Sequence, residues 1–136
     1  MYRFDIINKL IKENNFKNYL EIGVCDPREC FDKIECENKD SVDPGVEFEE
    51  NPVKYKMTSD EFFAQLKDDH PKYDVIFIDG LHLSWQVKKD IENSVKHLSD
   101  NGFFMQEKII LSMVNNMNGT EQCGRLCTGQ ELIGKT

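Results

Sequence analysis

Three acids stand where strands would end and loops begin: Glu21, Asp43 and Asp79. Glu21 interrupts the apolar run Tyr-Leu-Glu-Ile-Gly-Val at 19–24, where an unpaired carboxylate is costly and therefore answers to a partner or a ligand. Asp43 precedes Pro44-Gly45 and follows Glu21 by 22 residues, near the ~20-residue spacing at which an acid meets a ribose in dinucleotide folds. A carboxylate suits that work because it accepts hydrogen bonds from both ribose hydroxyls. A plain turn acid is the other reading of Asp43, and the pattern leaves both open. Asp79 closes the most continuous apolar stretch, 75–78, and leads into Gly80-Leu81-His82. The imidazole of His82 suits a general base acting on a hydroxyl or amine; a histidine capping the next helix is its alternative. Trp85 is a candidate for lining a ligand face, or else a helix-surface residue.

The glycines narrow the ligand. Gly23 stands alone before Val-Cys-Asp-Pro-Arg, whereas a dinucleotide loop of the G-x-G-x-x-G kind needs three glycines around a pyrophosphate. NAD and FAD are disfavoured, and a ligand without phosphates at this turn is tolerated. Residues 129–136, Gly-Gln-Glu-Leu-Ile-Gly-Lys-Thr, fit G-x-x-x-x-G-K-[ST] by letter. A phosphate loop requires a preceding strand and a following helix, so the match points to no nucleotide site. Five cysteines, at 25, 30, 36, 123 and 127, form no Cys-x-x-Cys pair, and reduced thiols in a cytoplasmic chain are expected.

These residues need a scaffold, and the periodicities supply one. Ile6, Ile7, Leu10 and Ile11 predict an amphipathic helix over 4–14, stopped by Asn14-Asn15. Strand one covers 19–24, followed by a turn with Asp26 as N-cap and Pro27 at the first helical position, then a short helix through Phe31 and Ile34. Strand two covers 40–42 and strand three 53–57. Thr58-x-x-Glu61 reads as a capping box for a helix burying Phe62, Phe63 and Leu66. Strand four covers 73–78, and a helix over 85–98 places Val87, Ile91, Val95 and Leu98 on one stripe. Asp100-Asn101-Gly102 reads as its stop, and Phe103 begins strand five. Alternating strands and helices predict an α/β fold with a parallel sheet, whose ligands bind beyond the carboxyl ends of the strands.

Composition closes off other classes. A net charge of −8 over 136 residues offers no basic stripe, so no nucleic-acid partner is expected. No apolar run approaches the ~18 residues of a membrane span, and the amino terminus lacks the features of a signal peptide.

As a set, these segments resemble the class I S-adenosylmethionine-dependent methyltransferases, and within them a small methyltransferase-domain family with Leu-Glu-Ile-Gly-Val and Phe-Ile-Asp-Gly-Leu-His motifs. The motifs stand here at 20–24 and 77–82, supported by Ser-Val-Asp-Pro at 41–44, Met-Thr-Ser-Asp-Glu-Phe-Phe at 57–63, Gln86-Val87 and Asp90-Ile91. The resemblance implies a Rossmann-like sheet of order 3-2-1-4-5. It implies that Glu21 and Gly23 border the methionine portion of S-adenosylmethionine, that Asp43 binds its ribose, and that Thr58, Ser59 and Asp60 lie near the adenine. Asp79 would stand at the boundary between cofactor and substrate. In related catechol-type enzymes an acid here binds a divalent metal, but no partner acid after strand five is recognisable. The implied reaction moves the sulfonium methyl to an oxygen or nitrogen of a small molecule, a sugar among the options, with His82 as base.

Beyond 104 the family pattern is lost. The expectation is an S-adenosylmethionine-binding domain over 1–105 and an atypical tail over 106–136. Residues 116–128, back-translated with A/T-rich codons and read one base earlier, can give a Trp-Asn-x-Thr-x-Trp-Lys ending like the family's. A frameshift near residue 105 is therefore expected to have replaced the native carboxyl-terminal part. The alternative to an active enzyme is a remnant that binds cofactor without turnover and self-associates through an uncovered sheet edge.

Overall fold

The run Val75-Ile76-Phe77-Ile78 is apolar at every position because it lies inside the sheet with both faces covered. A computed structural model of the chain describes residues 2–46, 52–79 and 84–106. In it β3 (Tyr73–Ile78) lies between β1 (Asn18–Ile22) and β4 (Leu98–Gln106), and β2 (Asn38–Val42) flanks β1 on its other side. The order is β2-β1-β3-β4 and every pairing is parallel. This is the expected α/β, Rossmann-like sheet.

The helices cover its two faces. From α1 (Arg3–Asn14), Ile6, Ile7 and Ile11 pack with Tyr19, Val75, Phe77 and Met105. Asn15 ends that helix in a left-handed conformation, φ +54°, at the predicted stop. On the opposite face, Phe62 and Phe63 of α2 (Ser59–Gln65) pack with Leu20, Ile22, Val42, Ile76 and Phe104. Thr58 caps α2 as the sequence predicts, its Oγ1 accepting the Glu61 N–H at 3.2 Å.

Four expectations change in detail. The third strand is reduced to one parallel bridge between Val42 and Tyr55, because Met57 N–H turns back onto the Tyr55 carbonyl. That segment still lies outside β2, so the predicted order 3-2-1-4-5 holds in position. The short helix after strand one is two 3-10 turns, Pro27–Glu29 and Phe31–Lys33, broken at Cys30. In α3 (Ser84–Lys96) the fully buried stripe is Gln86, Asp90 and Ser94, while Val87, Ile91 and Val95 are half-buried beside it. Finally, Asp100-Asn101-Gly102 belongs to β4. Leu98 faces Tyr73 but Phe103 faces Val75, so the residues between bulge out of the ladder. Asp74 fastens this bulge to the start of β1, accepting the Ser99 hydroxyl at 2.8 Å and the N–H groups of Lys17 and Asn18 at 2.9 and 3.1 Å.

Among the described residues no helix is long and apolar enough to cross a membrane. The tail expected over 106–136 lies, from 107 on, outside the described residues, and so does His82.

Candidate functional site

Register puts the acids together. Glu21 is level with Ser41 on β2 and with Phe77 on β3, so the next row on that face is Asp43, Gly23 and Asp79. The ladder continues into this row: Gly23 N–H donates to the Val42 carbonyl at 2.8 Å and Asp79 N–H to that of Ile22 at 2.7 Å. Two carboxylates therefore flank a residue with no side chain. Gly23 has φ +83°, which turns the chain off the sheet there.

Asp43 clamps two loops. Its Oδ1 accepts the Cys25 N–H at 3.1 Å and its Oδ2 the Gly45 N–H at 2.7 Å. The first bond holds Cys25 at φ +52°, a left-handed conformation uncommon outside glycine. The turn-acid reading of Asp43 is thus correct as far as it goes. A carboxylate offers about four acceptor positions, so amide bonds that fix its orientation are compatible with ligand hydroxyls approaching it.

Asp79 meets a cation from the far end of the sequence. Arg3 Nη1 donates to Asp79 Oδ2 at 3.0 Å, and its Nη2 lies 3.7 Å from Glu29 Oε2. The guanidinium also lies over the Phe77 ring, 5.7 Å from its centroid. Among the described residues no group of three or more His, Cys, Asp or Glu side chains is placed to hold a metal ion.

One row deeper, Glu21 is only 2% exposed and accepts the Tyr19 hydroxyl at 2.6 Å. Burial pushes its carboxyl up to about 7, while hydrogen bonds from Tyr19 and Cys30 and the charges of Arg3 and Lys39 pull the other way. Burial first, and then the Glu21 charge, raise the Cys30 thiol. Such a thiol is inert as a nucleophile.

Segment 53–57 brings the last predicted group to the same end of the sheet. Asp43 N–H donates to Tyr55 O at 3.1 Å and Tyr55 N–H to Ser41 O at 2.9 Å, so the chain runs parallel to β2 and past its end into Thr58. There Ser59 and Asp60 engage α3 through Asp90, Gln86 and Lys89. A shallow groove between α2 and α3, lined by Asp60, Phe63, Ala64, Lys89, Glu92 and Asn93, includes none of Glu21, Asp43 or Asp79.

A family model described as "Methyltransferase domain" matches residues 9–106, most of the chain and all four strands. The chain belongs to this methyltransferase-domain family. Its fold is similar to the crystal structure of a "putative caffeoyl-CoA O-methyltransferase" from Staphylococcus aureus, with a TM-score of 0.57 at 24% identity. The match covers 88% of this chain and 64% of that one, so the methyltransferase-domain chain spans less than two thirds of its structural neighbour. No curated protein matches it significantly.

For a methyltransferase-domain chain the implied cofactor is S-adenosylmethionine, and the row Asp43–Gly23–Asp79 fits it. Acids suit its hydroxyls and its cationic centre, and the bare glycine allows close backbone approach. The sequence did not disclose Arg3, Tyr19 and Cys30 as members of this site. Arg3 lies 76 residues from Asp79, and no local pattern links them. Gln86, Asp90 and Ser94 carried a usable signal, a polar i, i+4, i+8 spacing, hidden by the apolar stripe one residue along.

Proposed function

We propose that this chain binds S-adenosylmethionine beyond the carboxyl ends of β1, β2 and β3 and transfers its methyl group to a hydroxyl or amine of a small molecule, a sugar among the candidates. The supporting observation is the row in which Asp43 and Asp79 flank the positive-φ Gly23. Asp43 binds the ribose hydroxyls, Gly23 and Glu21 border the methionine portion, and Thr58, Ser59 and Asp60 lie along the adenine. Asp79, oriented by Arg3, stands where cofactor meets acceptor. When bound, the cofactor supplies an electrophilic methyl, and the chain's contribution is chiefly to hold the acceptor in line with it. His82, four residues past the end of β3, takes the acceptor's proton. Residues 1–105 constitute the cofactor-binding domain.

Calorimetry with S-adenosylmethionine and its demethylated product tests this reading. Both are expected to bind the full chain, and Asp43→Ala is expected to weaken both by about a hundredfold, the scale of losing charge-assisted hydrogen bonds. Unchanged affinity in a folded Asp43→Ala protein removes the ribose role. No binding, with a response to NAD instead, removes the proposal. Binding without transfer to any small-molecule acceptor supports the non-catalytic alternative. In that alternative the outer edge of β4, the last strand of the sheet among the described residues, pairs with a second copy.

A further inference from the structure

A hydrogen-bonded chain joins Asp79, in the upper row of acids, to Glu21 in the row beneath. Arg3 Nη1 donates to Asp79 Oδ2 at 3.0 Å. The same guanidinium donates to the Cys30 thiol, and that thiol donates to the Glu21 carboxylate. Tyr19 closes the chain from the far side, its hydroxyl 2.6 Å from Glu21 Oε1. Glu21, Cys30 and Tyr19 are buried, whereas the Arg3 side chain keeps 23% of its surface in solvent and has room to turn. The other charges around Glu21 have partners of their own. Lys39 of β2, whose charge also acts on Glu21, donates to the Phe31 carbonyl at 2.9 Å and lies over the Phe31 ring. Asp43, on the β2 side of the row above, accepts the amides of Cys25 and Gly45. On β3 the residue level with Glu21 is Phe77, which carries no charge and has the Arg3 guanidinium over its ring. Arg3, with the exposed Glu29 at 3.7 Å on its other nitrogen, is thus held between two carboxylates of successive rows. A buried carboxylate that loses its proton is costly without a cation, so ionisation of Glu21 pulls on Arg3.

We infer that Arg3 is a positioning residue whose place follows the proton on Glu21. While Glu21 is protonated Arg3 stays on Asp79; when Glu21 ionises Arg3 moves towards it and leaves Asp79 to the positive centre of the cofactor. Only that last step rests on the proposed cofactor site. A guanidinium suits the role because its fork of five N–H donors changes partners without losing its charge. Burial lifts the Glu21 carboxyl to about 7, so the exchange takes place around neutral pH. Below that pH Arg3 neutralises Asp79. Above it the row is more negative, which favours the sulfonium form of the cofactor over its thioether product.

Carbon-13 NMR of the side-chain carboxyls follows the Glu21 titration in the full chain without ligand. Asp79→Asn frees Arg3 and is expected to lower the Glu21 midpoint by at least about half a pH unit, and Arg3→Met to raise it by at least about as much. Removing the Asp79 charge also acts on Glu21 through space, so the double-substitution cycle decides. In an Arg3→Met background Asp79→Asn is expected to move the midpoint less than about half as far. A midpoint that Asp79→Asn does not lower, or lowers equally with and without Arg3, overturns the inference. Arg3→Gln takes the place of Arg3→Met if that variant does not fold. For the last step, calorimetry at about pH 6 and about pH 8 is expected to show the preference for S-adenosylmethionine over its demethylated product rising at least about threefold. Glu21→Gln, which does not ionise, is expected to remove that rise. A purely structural role for Glu21 would change the affinities without changing their pH dependence, so an equal rise in Glu21→Gln overturns the release of Asp79. If neither ligand binds at either pH the proposed cofactor site itself fails, and the NMR cycle still decides whether Arg3 is shared.

Discussion

Glu21 shows how far a single residue can be read before its surroundings are known. An acid inside an apolar strand implies a partner, and the partner is the Tyr19 hydroxyl two residues away on the same face. The size of the burial effect could not be read from the chain, because it depends on α1, Cys30 and Arg3 closing over the carboxylate. That effect has a definite sign. The carboxyl is raised from 4.5 to about 7, so the folded protein holds a proton that the unfolded chain releases between those values. The contribution of Glu21 to stability is present in full below pH 4.5 and is lost as pH rises through 7. The loss amounts to about 3 kcal/mol. Glu21→Gln keeps the shape and an acceptor for Tyr19 but does not ionise. Chemical denaturation at pH 5 and pH 8 should therefore show the variant gaining on the original protein by about 2–3 kcal/mol at the higher pH. A constant difference across that range would show that the carboxyl is not held neutral. Asp79 was legible for a similar reason, because it ends an apolar segment, and Asp43 from its place before Pro44-Gly45, 22 residues after Glu21. Arg3 was not, because nothing in a helical amino terminus announces a carboxylate 76 residues away.

At the scale of elements, local signals were sufficient wherever a cap or a continuous apolar run decided the outcome. Thr58 before α2, Asp26 before Pro27, and the 75–78 run of β3 are of this kind. They were insufficient where two faces competed for burial. In α3 the buried polar stripe wins over Val87, Ile91 and Val95 because Ser59 and Asp60 supply partners for Asp90 and Gln86 from another helix. The start of β4 misleads in a different way. Asp-Asn-Gly resembles a helix stop, yet the segment bulges from a strand and is held there by Asp74. Gly102 is required there by space. A Cβ added to it would come within 2.8 Å of the Leu98 side chain and 2.9 Å of the Asp74 carbonyl oxygen. The Leu98 side chain can swing away, but the carbonyl is backbone inside β3 and cannot. Gly102→Ala is therefore expected to destabilise the protein by about 1–3 kcal/mol, the range for overpacking a tight site. Urea denaturation would measure it, and a shift below about 0.5 kcal/mol, the scale of an ordinary surface change, would mean that the bulge is loose.

For the whole molecule, the charge distribution bears on how a cofactor arrives. The net charge is −8, and the three acids and three bases among residues 107–136 cancel, so the excess lies entirely within 1–106. The same part of the chain carries the row of Asp43 and Asp79, with Glu21 beneath it and Arg3 as the paired cation beside Asp79. S-adenosylmethionine bears one more positive charge than its demethylated product, because the sulfonium becomes a thioether. An acidic surface therefore favours the reactive form over the spent one, and it does so through a field that salt screens. Raising ionic strength from about 20 mM to about 500 mM shortens the Debye length from roughly 20 Å to roughly 4 Å. Across that range the affinity for S-adenosylmethionine is expected to fall about threefold or more, while that for the product changes less than about twofold. Calorimetric titrations of both ligands at the two salt concentrations make the comparison, and the product serves as the control for any salt effect on the fold. Equal salt dependence of the two affinities would show that discrimination comes from contacts at the sulfur alone, leaving the acidic body a matter of solubility.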